Sequence, residues 1–191
     1  MIIICYTGMV LLSCNTQLKE ELYLIMNQDV IEENYTTETY NQYKNTYDYA
    51  KKLYDNPFSS ENKLINAKVD LEEAIQNLKF ASRGIYQIDY SYSLIKNNSV
   101  GNEWNKMVKI NNTSFDSGNL LTMSLNSIVK VNITIIEDDK NPDMTSVDLS
   151  LTLENESIIS KNITITEDDG RYKGSEAVWQ IIFKVTLLER V

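Results

Sequence analysis

The chain has 191 residues, 42% of them hydrophobic and 24% charged, a formal net charge of -9 and no histidine. That length holds one or two domains, and the balance is that of a folded chain. The acidity argues against a nucleic acid partner, which needs a basic face, and the missing histidine removes Ser-His-Asp and Cys-His catalysis and the commonest transition-metal ligand.

The first predicted element is an apolar run from Ile2 to Leu12, too short to span a bilayer as a helix, which takes about 20 residues. It leads into Leu11-Leu12-Ser13-Cys14, and Cys14 and Cys5 are the only cysteines, so the rest of the chain has neither thiol nor disulfide. One reading of this run is a buried N-terminal strand with a chance cysteine. The other comes from a resemblance: an apolar residue three before a cysteine and a small one just before it resemble the lipobox of bacterial lipoproteins. The resemblance implies that residues 1–14 are a lipoprotein signal, cleaved before Cys14, with diacylglycerol on the Cys14 thiol. The mature chain would then be held at the extracytoplasmic face of a bacterial membrane by two acyl chains, at ~0.8 kcal/mol per buried methylene.

Residues 17–82 read as helices. Leu18, Leu22 and Ile25 recur at helical spacing, and Leu24 and Met26 widen the stripe. A second helix is predicted from Glu38 to Tyr54, with Thr36 or Thr37 as its cap and Tyr40, Tyr43, Tyr47, Ala50 and Tyr54 as its stripe. Asn56-Pro57 stops it, because proline cannot continue a helix and restricts the residue before it. A third helix opens at Ser59-Ser60-Glu61 and runs to Phe80 on a seam of Leu64, Ala67, Leu71, Ala74, Ile75 and Leu78, with Gly84 as its C-terminal cap. Tyr35-Thr36-Thr37-Glu38-Thr39-Tyr40, Ala50 and the Ala67 to Leu78 seam resemble the FIVAR module. This resemblance implies a three-helix spacer or association unit of bacterial surface proteins over residues 15–84, without chemistry of its own. The tyrosine stripe is read as core, with a sugar-stacking surface as the alternative.

From Ile85 the period changes from helical to alternating. Tyr86, Ile88, Tyr90, Tyr92 and Leu94 make one strand, and Trp179, Ile181, Phe183, Val185 and Leu187 the last. With five runs between them, residues 85–191 read as a seven- or eight-stranded antiparallel β-sandwich. The fold class is therefore α+β multidomain: a three-helix bundle followed by a sandwich. Glycine is scarce, so the turns rest on Asn, Asp and Ser.

One octapeptide occurs twice. Asn132-Ile-Thr-Ile-Ile-Glu-Asp-Asp139 returns as Asn162-Ile-Thr-Ile-Thr-Glu-Asp-Asp169, each a strand running into three carboxylates. Both copies contain an Asn-x-Thr sequon, which is read as Asn-rich composition and not as glycosylation. If strands alternate in direction, the loops at 112–119, 137–144 and 167–176 share one end, with Asp116 beside the two acidic corners and Asn98 to Trp104 at the other end. Clustered carboxylates repel unless neutralised, and calcium is the cation that fits an all-oxygen set. The expected ligands are Asp138, Asp139, Asp143, Glu167, Asp168 and Asp169. The plan is similar to that of synaptotagmin-type calcium- and lipid-binding sandwiches, whose metal loops also sit at one end. The alternative is solvated turns offset by Lys140, Arg171 and Lys173. Catalysis is not expected: a glycosidase needs two carboxylates across a sugar, and exposed turns give little cleft for them. The expected function is a non-enzymatic, lipid-anchored surface protein whose sandwich binds cell-wall carbohydrate or a surface protein. A purely structural envelope module, or an accessory domain or fragment of a carbohydrate-active enzyme, are the alternatives. Trp104 and Trp179 are expected in the core.

Overall fold

The computed structural model describes residues 4–139 and 141–191, and side chains from residue 15 onward. The chain divides into two compact units, Met1–Ala81 with Arg190–Val191, and Ser82–Glu189.

The helical unit contains α1 (Ile4–Met26), α2 (Thr37–Asp55) and α3 (Glu61–Gln76). Thr36 caps α2, its side chain accepting the Thr39 N–H at 3.4 Å. At the other end Asn56 Oδ1 accepts the Phe58 N–H at 2.9 Å, and the Ser59 hydroxyl donates to the Leu53 carbonyl at 2.6 Å. These local bonds satisfy backbone groups that a helix terminus leaves open. The core joins Leu22 and Ile25 of α1, Tyr43, Ala50 and Leu53 of α2, and Leu64, Ala67 and Leu71 of α3. Tyr40, Tyr47 and Tyr54 pack at its margin, so the tyrosine stripe belongs to the core. Leu24 does not widen the α1 stripe; it is 71% exposed. Helix α3 stops four residues before Phe80, and Phe80 instead stacks on Tyr35 with ring centroids 5.0 Å apart.

The second unit is an antiparallel sandwich of eight strands: β1 (Arg83–Asn97), β2 (Trp104–Ile110), β3 (Thr113–Ser114), β4 (Asn119–Ser124), β5 (Ile128–Glu137), β6 (Asp143–Thr152), β7 (Glu156–Thr166) and β8 (Glu176–Arg190). One sheet has the order β4-β1-β8-β7, the other β3-β2-β5-β6. Alternate residues of every strand except the two-residue β3 point into a shared core. Val129, Val131, Ile133 and Ile135 of β5 are fully buried, and they meet Ile181, Phe183 and Val185 of β8 in one cluster. At ~25 cal/mol per Å2 of buried apolar surface, such a core holds the unit together without a disulfide. Trp179 is buried, and Trp104 packs edge to face against it at 5.5 Å. Asparagine takes the left-handed conformation where glycine is commoner: Asn111 (φ 48°), Asn112 (φ 67°) and Asn126 (φ 57°) turn the chain between strands. Gly84 lies within β1 and does not cap α3. A β-carbon there would sit 2.6 Å from Leu187 Cδ1 and 2.8 Å from the Tyr86 ring.

Candidate functional site: an acidic rim

The octapeptide copies lie on β5 and β7, in different sheets, and their isoleucines Ile133, Ile135, Ile163 and Ile165 all enter the same core. The period-two alternation continues past the last isoleucine. Glu137, two residues on from Ile135, therefore points inward and is only 2% exposed. Antiparallel register sets Asp143 of β6 directly opposite Glu137, and Asp143 is likewise buried, at 5% exposure. Glu167 occupies the equivalent place in the second copy, and the Asp143 carboxylate is one of the charges that act on it.

The two acidic corners meet at one rim. The Asp168 N–H donates to Asp143 Oδ1 at 3.1 Å, and the Asn141 amide donates to Asp169 Oδ2 at 3.3 Å. Asp139 Oδ1 accepts the Asn141 N–H at 2.7 Å, which tightens the β5–β6 turn. Of the six residues expected to hold metal, the structure brings Asp139, Asp143, Glu167 and Asp169 together. Asp138 and Asp168 are exposed and enter the rim through their backbone amides.

The β1–β2 loop also belongs to this rim, which corrects the expectation that Asn98 to Trp104 lies at the opposite end. The Asp138 N–H donates to the Glu103 carbonyl at 2.7 Å, and the Asn98 N–H to the Glu176 carbonyl at 3.0 Å. Gly101 covers Glu137 so closely that a β-carbon at position 101 would overlap Glu137 Oε1. The cause of the error is β3. This two-residue strand carries no periodic signal, yet it adds one strand and so shifts the parity of every connection before it relative to those after. Asp116 does not join the rim either. Strand β4 pairs only with Arg83 to Ile88, so the loop ahead of it ends beside Tyr90, where the Ser117 hydroxyl bonds the Tyr90 backbone.

Burial, then the charges of Asp139, Glu167, Asp143 and Glu103, raise the Glu137 carboxyl above the ordinary range. Glu167 is raised by burial first, then by Asp143 and Asp139. Both causes disfavour the ionised form. Among the described residues no ion pair reaches these carboxylates; Lys106, on the inward face of β2, lies 4.0 Å from the centroid of the Trp179 ring instead. Glu137 Oε2 and Asp143 Oδ2 are buried without a hydrogen-bond partner. Such groups are rare in native proteins because each costs about 1–3 kcal/mol or more. Among the described residues no three carboxylates are already disposed to hold a metal ion.

Beside the rim runs an open groove of about 790 Å3, with Asp139, Glu167 and Asp169 along it, Gly101 and Asn102 from the β1–β2 loop, and Arg171 and Tyr172 from the β7–β8 loop. Sequence reading placed Glu137 in the acidic corner but not among the expected ligands or in the interior, and it missed Glu103 and Gly101 as parts of this site. The signal for Glu137 was present, since its position continues the alternation of Ile133 and Ile135.

The other expected site is the lipidation residue. Helix α1 carries the backbone through position 14 without a break, while the Cys14 side chain and residues 1–3 of the expected signal segment lie outside the described residues. Among the described residues no helix is long and apolar enough to cross a membrane. Compared with known proteins, the chain matches no family model, and no curated protein or solved structure is significantly similar to it.

Proposed function

We propose that this chain is a non-enzymatic surface module whose β-sandwich binds calcium at its acidic rim and uses that rim as its recognition end. The observation that carries this reading is the pair Glu137 and Asp143: inward-facing, opposed across β5 and β6, each with a buried oxygen that nothing satisfies. A buried, unneutralised carboxylate is costly. A hard cation with about six to eight oxygen ligands would offset that cost with the residue types present, and because no three of the described carboxylates stand within reach of one ion, Glu167, Asp139 and Asp169 would have to move in to contribute. The ion would draw these side chains inward as it binds. Glu137 thus replaces Asp138 and Asp168 in the expected ligand set.

Catalysis fits this rim poorly. A glycosidase places its substrate between two carboxyl groups, whereas Glu137 and Asp143 face each other on neighbouring strands and are both buried. The lipobox-like Leu11 to Cys14 and the FIVAR-like helical unit give the setting: a lipid anchor at Cys14, a helical spacer, and a sandwich displayed outside a bacterial membrane. Extracellular calcium at millimolar levels would keep the site filled there.

The test is thermal melting of the full chain in EDTA and in millimolar calcium. A ligand that binds only the native state raises Tm by mass action, about 2.7 kcal/mol at a hundredfold excess over Kd. Calcium is expected to raise Tm in the native protein and not in Glu137→Gln or Asp143→Asn. An unchanged Tm in calcium would leave the envelope-spacer alternative standing. Fractionation with Cys14→Ser tests the anchor separately, since the variant should leave the membrane fraction.

A further inference from the structure

We infer that the sandwich takes an extended, acidic peptide segment of a partner protein as an added strand, laid along residues 91–97 of β1 and bringing a carboxylate to Lys106. This does not depend on the calcium reading. Its ground is an unfinished flank. Strand β4 pairs with β1 only from Arg83 to Ile88, and the Ser117 hydroxyl bonds the Tyr90 backbone. Beyond that point, among the described residues, β1 has β8 on one side and no strand on the other. In the facing sheet β3 pairs with β2 only at Lys109 and Ile110, which leaves Trp104 to Met107 without a strand on that side. Tyr92 and Lys106 meet there, the ammonium 5.5 Å from the Tyr92 ring centroid, so both gaps open on one flank. The opposite flank is closed: β6 and β7 touch, and the Thr145 hydroxyl donates to the Thr164 carbonyl at 3.1 Å.

Three observations name the occupant. Native sheet edges are blunted by proline, charge or brevity, because bare backbone N–H and C=O groups template another strand. The stretch Ser91-Tyr-Ser-Leu-Ile-Lys-Asn97 has no proline and a single charge, Lys96, and its Leu94 and Ile95 are exposed. An extended peptide supplies main-chain pairing and alternate apolar side chains to such an edge. The second observation is Lys106. It is half-buried between the two sheets, over the Trp179 and Tyr92 rings, and has no carboxylate partner among the described residues. A carboxylate on the incoming strand pairs with it, which gives the peptide its charge. The third is continuity. The added strand occupies the row that β4 already begins, so it lengthens an existing ladder and needs no rearrangement of β1.

The experiment is a selection on the full chain from phage-displayed random peptides about ten residues long, the upper length of a common strand. Selected peptides are then synthesised and titrated with tryptophan fluorescence as the readout. Trp104 and Trp179 are the only tryptophans and both lie under this flank, so binding there is expected to shift their emission. The selected sequences are expected to alternate apolar residues around an Asp or Glu. N-methylation of one alternate set of peptide amides should abolish binding and of the other set should not, because an edge strand pairs on one side. Lys106→Gln should weaken binding about tenfold, and Asp169→Asn at the rim should leave it unchanged. A library without binders, or binders that respond alike to both methylated sets, would overturn strand addition. Binding lost in Asp169→Asn and kept in Lys106→Gln would move the peptide to the rim and overturn it too. A chain that dimerises by itself in sedimentation, and returns to monomer in Leu94→Lys, would overturn the peptide in favour of a second copy.

Discussion

The two copies of the octapeptide differ at a single position, Ile136 against Thr166, yet they live in different surroundings. The first copy is on β5, flanked by β2 on one side and β6 on the other; the second is on β7, the last strand of its sheet. In the first, Asn132 bonds across to Ser146 and Asp148 at 2.9 and 2.8 Å, and Glu137 is sealed under Gly101. In the second, Asn162 is exposed and Glu167 is only half-buried. The same residues therefore make an interior acid in a central strand and a rim acid at an edge. Neighbouring strands, and not local sequence, decide how much each carboxylate is desolvated.

That contrast is open to measurement. The largest effects lie below the rim: Ile133→Ala and Ile163→Ala should each destabilise the sandwich by about 2–5 kcal/mol in urea unfolding, with Ile163 nearer the lower end because an edge strand relaxes more easily around a cavity. Equal losses would remove the distinction between centre and edge. Next is Gly101→Ala, which forces Glu137 or its covering loop aside and should cost about 1–3 kcal/mol, together with the calcium-induced rise in Tm. A calcium response that survives this substitution would detach the loop from the site.

The third prediction concerns protons. Glu137 and Glu167 have folded-state pKa values above the ordinary 4.5, so the folded chain holds more protons than the unfolded chain between 4.5 and the raised values. Their contribution to stability is complete below that window and is lost as pH rises through it. Calcium-free protein should therefore melt higher as pH falls towards 4.5 from neutrality. Glu137→Gln should raise the neutral-pH stability by about 1 kcal/mol by removing a buried charge, and the gain should shrink on acidification. Glu167→Gln should do the same more weakly. A calcium-free melting temperature that is flat with pH would mean these carboxylates are already neutralised within the chain. The smallest effect is on the outer face, where Asn132→Ala should cost about 0.5–1 kcal/mol and Asn162→Ala should stay within about 0.5 kcal/mol of wild type.

Periodicity read from the sequence places both cores correctly, down to Tyr43 and Ala50 in the helices and Trp179 to Val185 in the last strand, because burial imposes a period on residues that pack. It also brings the two acidic corners to a single rim. What it misses is physical in origin. β3 is two residues long and has no face to repeat, so the strand count and the place of the β1–β2 loop were not legible. Beyond the end of α3 the chain bridges back to residues 34–36 and Phe80 stacks on Tyr35, a contact between residues 45 apart that no local propensity encodes. Glu137 was legible in principle, but its residue type suggests a turn, whereas its position in the alternation assigns it to the interior.

The adjacency of β1 and β8 has a consequence for how this chain is made. The sheet β3-β2-β5-β6 spans only residues 104–152 and can assemble as soon as that stretch has left the ribosome, but β1, the first strand of the sandwich, must wait for the last. At about 5–20 residues per second, β1 is exposed for several seconds during synthesis. Its inward row of Tyr86, Ile88, Tyr90 and Tyr92 has only the six-residue β4 to pair with in that interval. Long-range closure of this kind also makes refolding slow. A nascent chain stalled before β8 should accordingly bind chaperones and be cut by proteases within β1, while residues 104–152 already resist them.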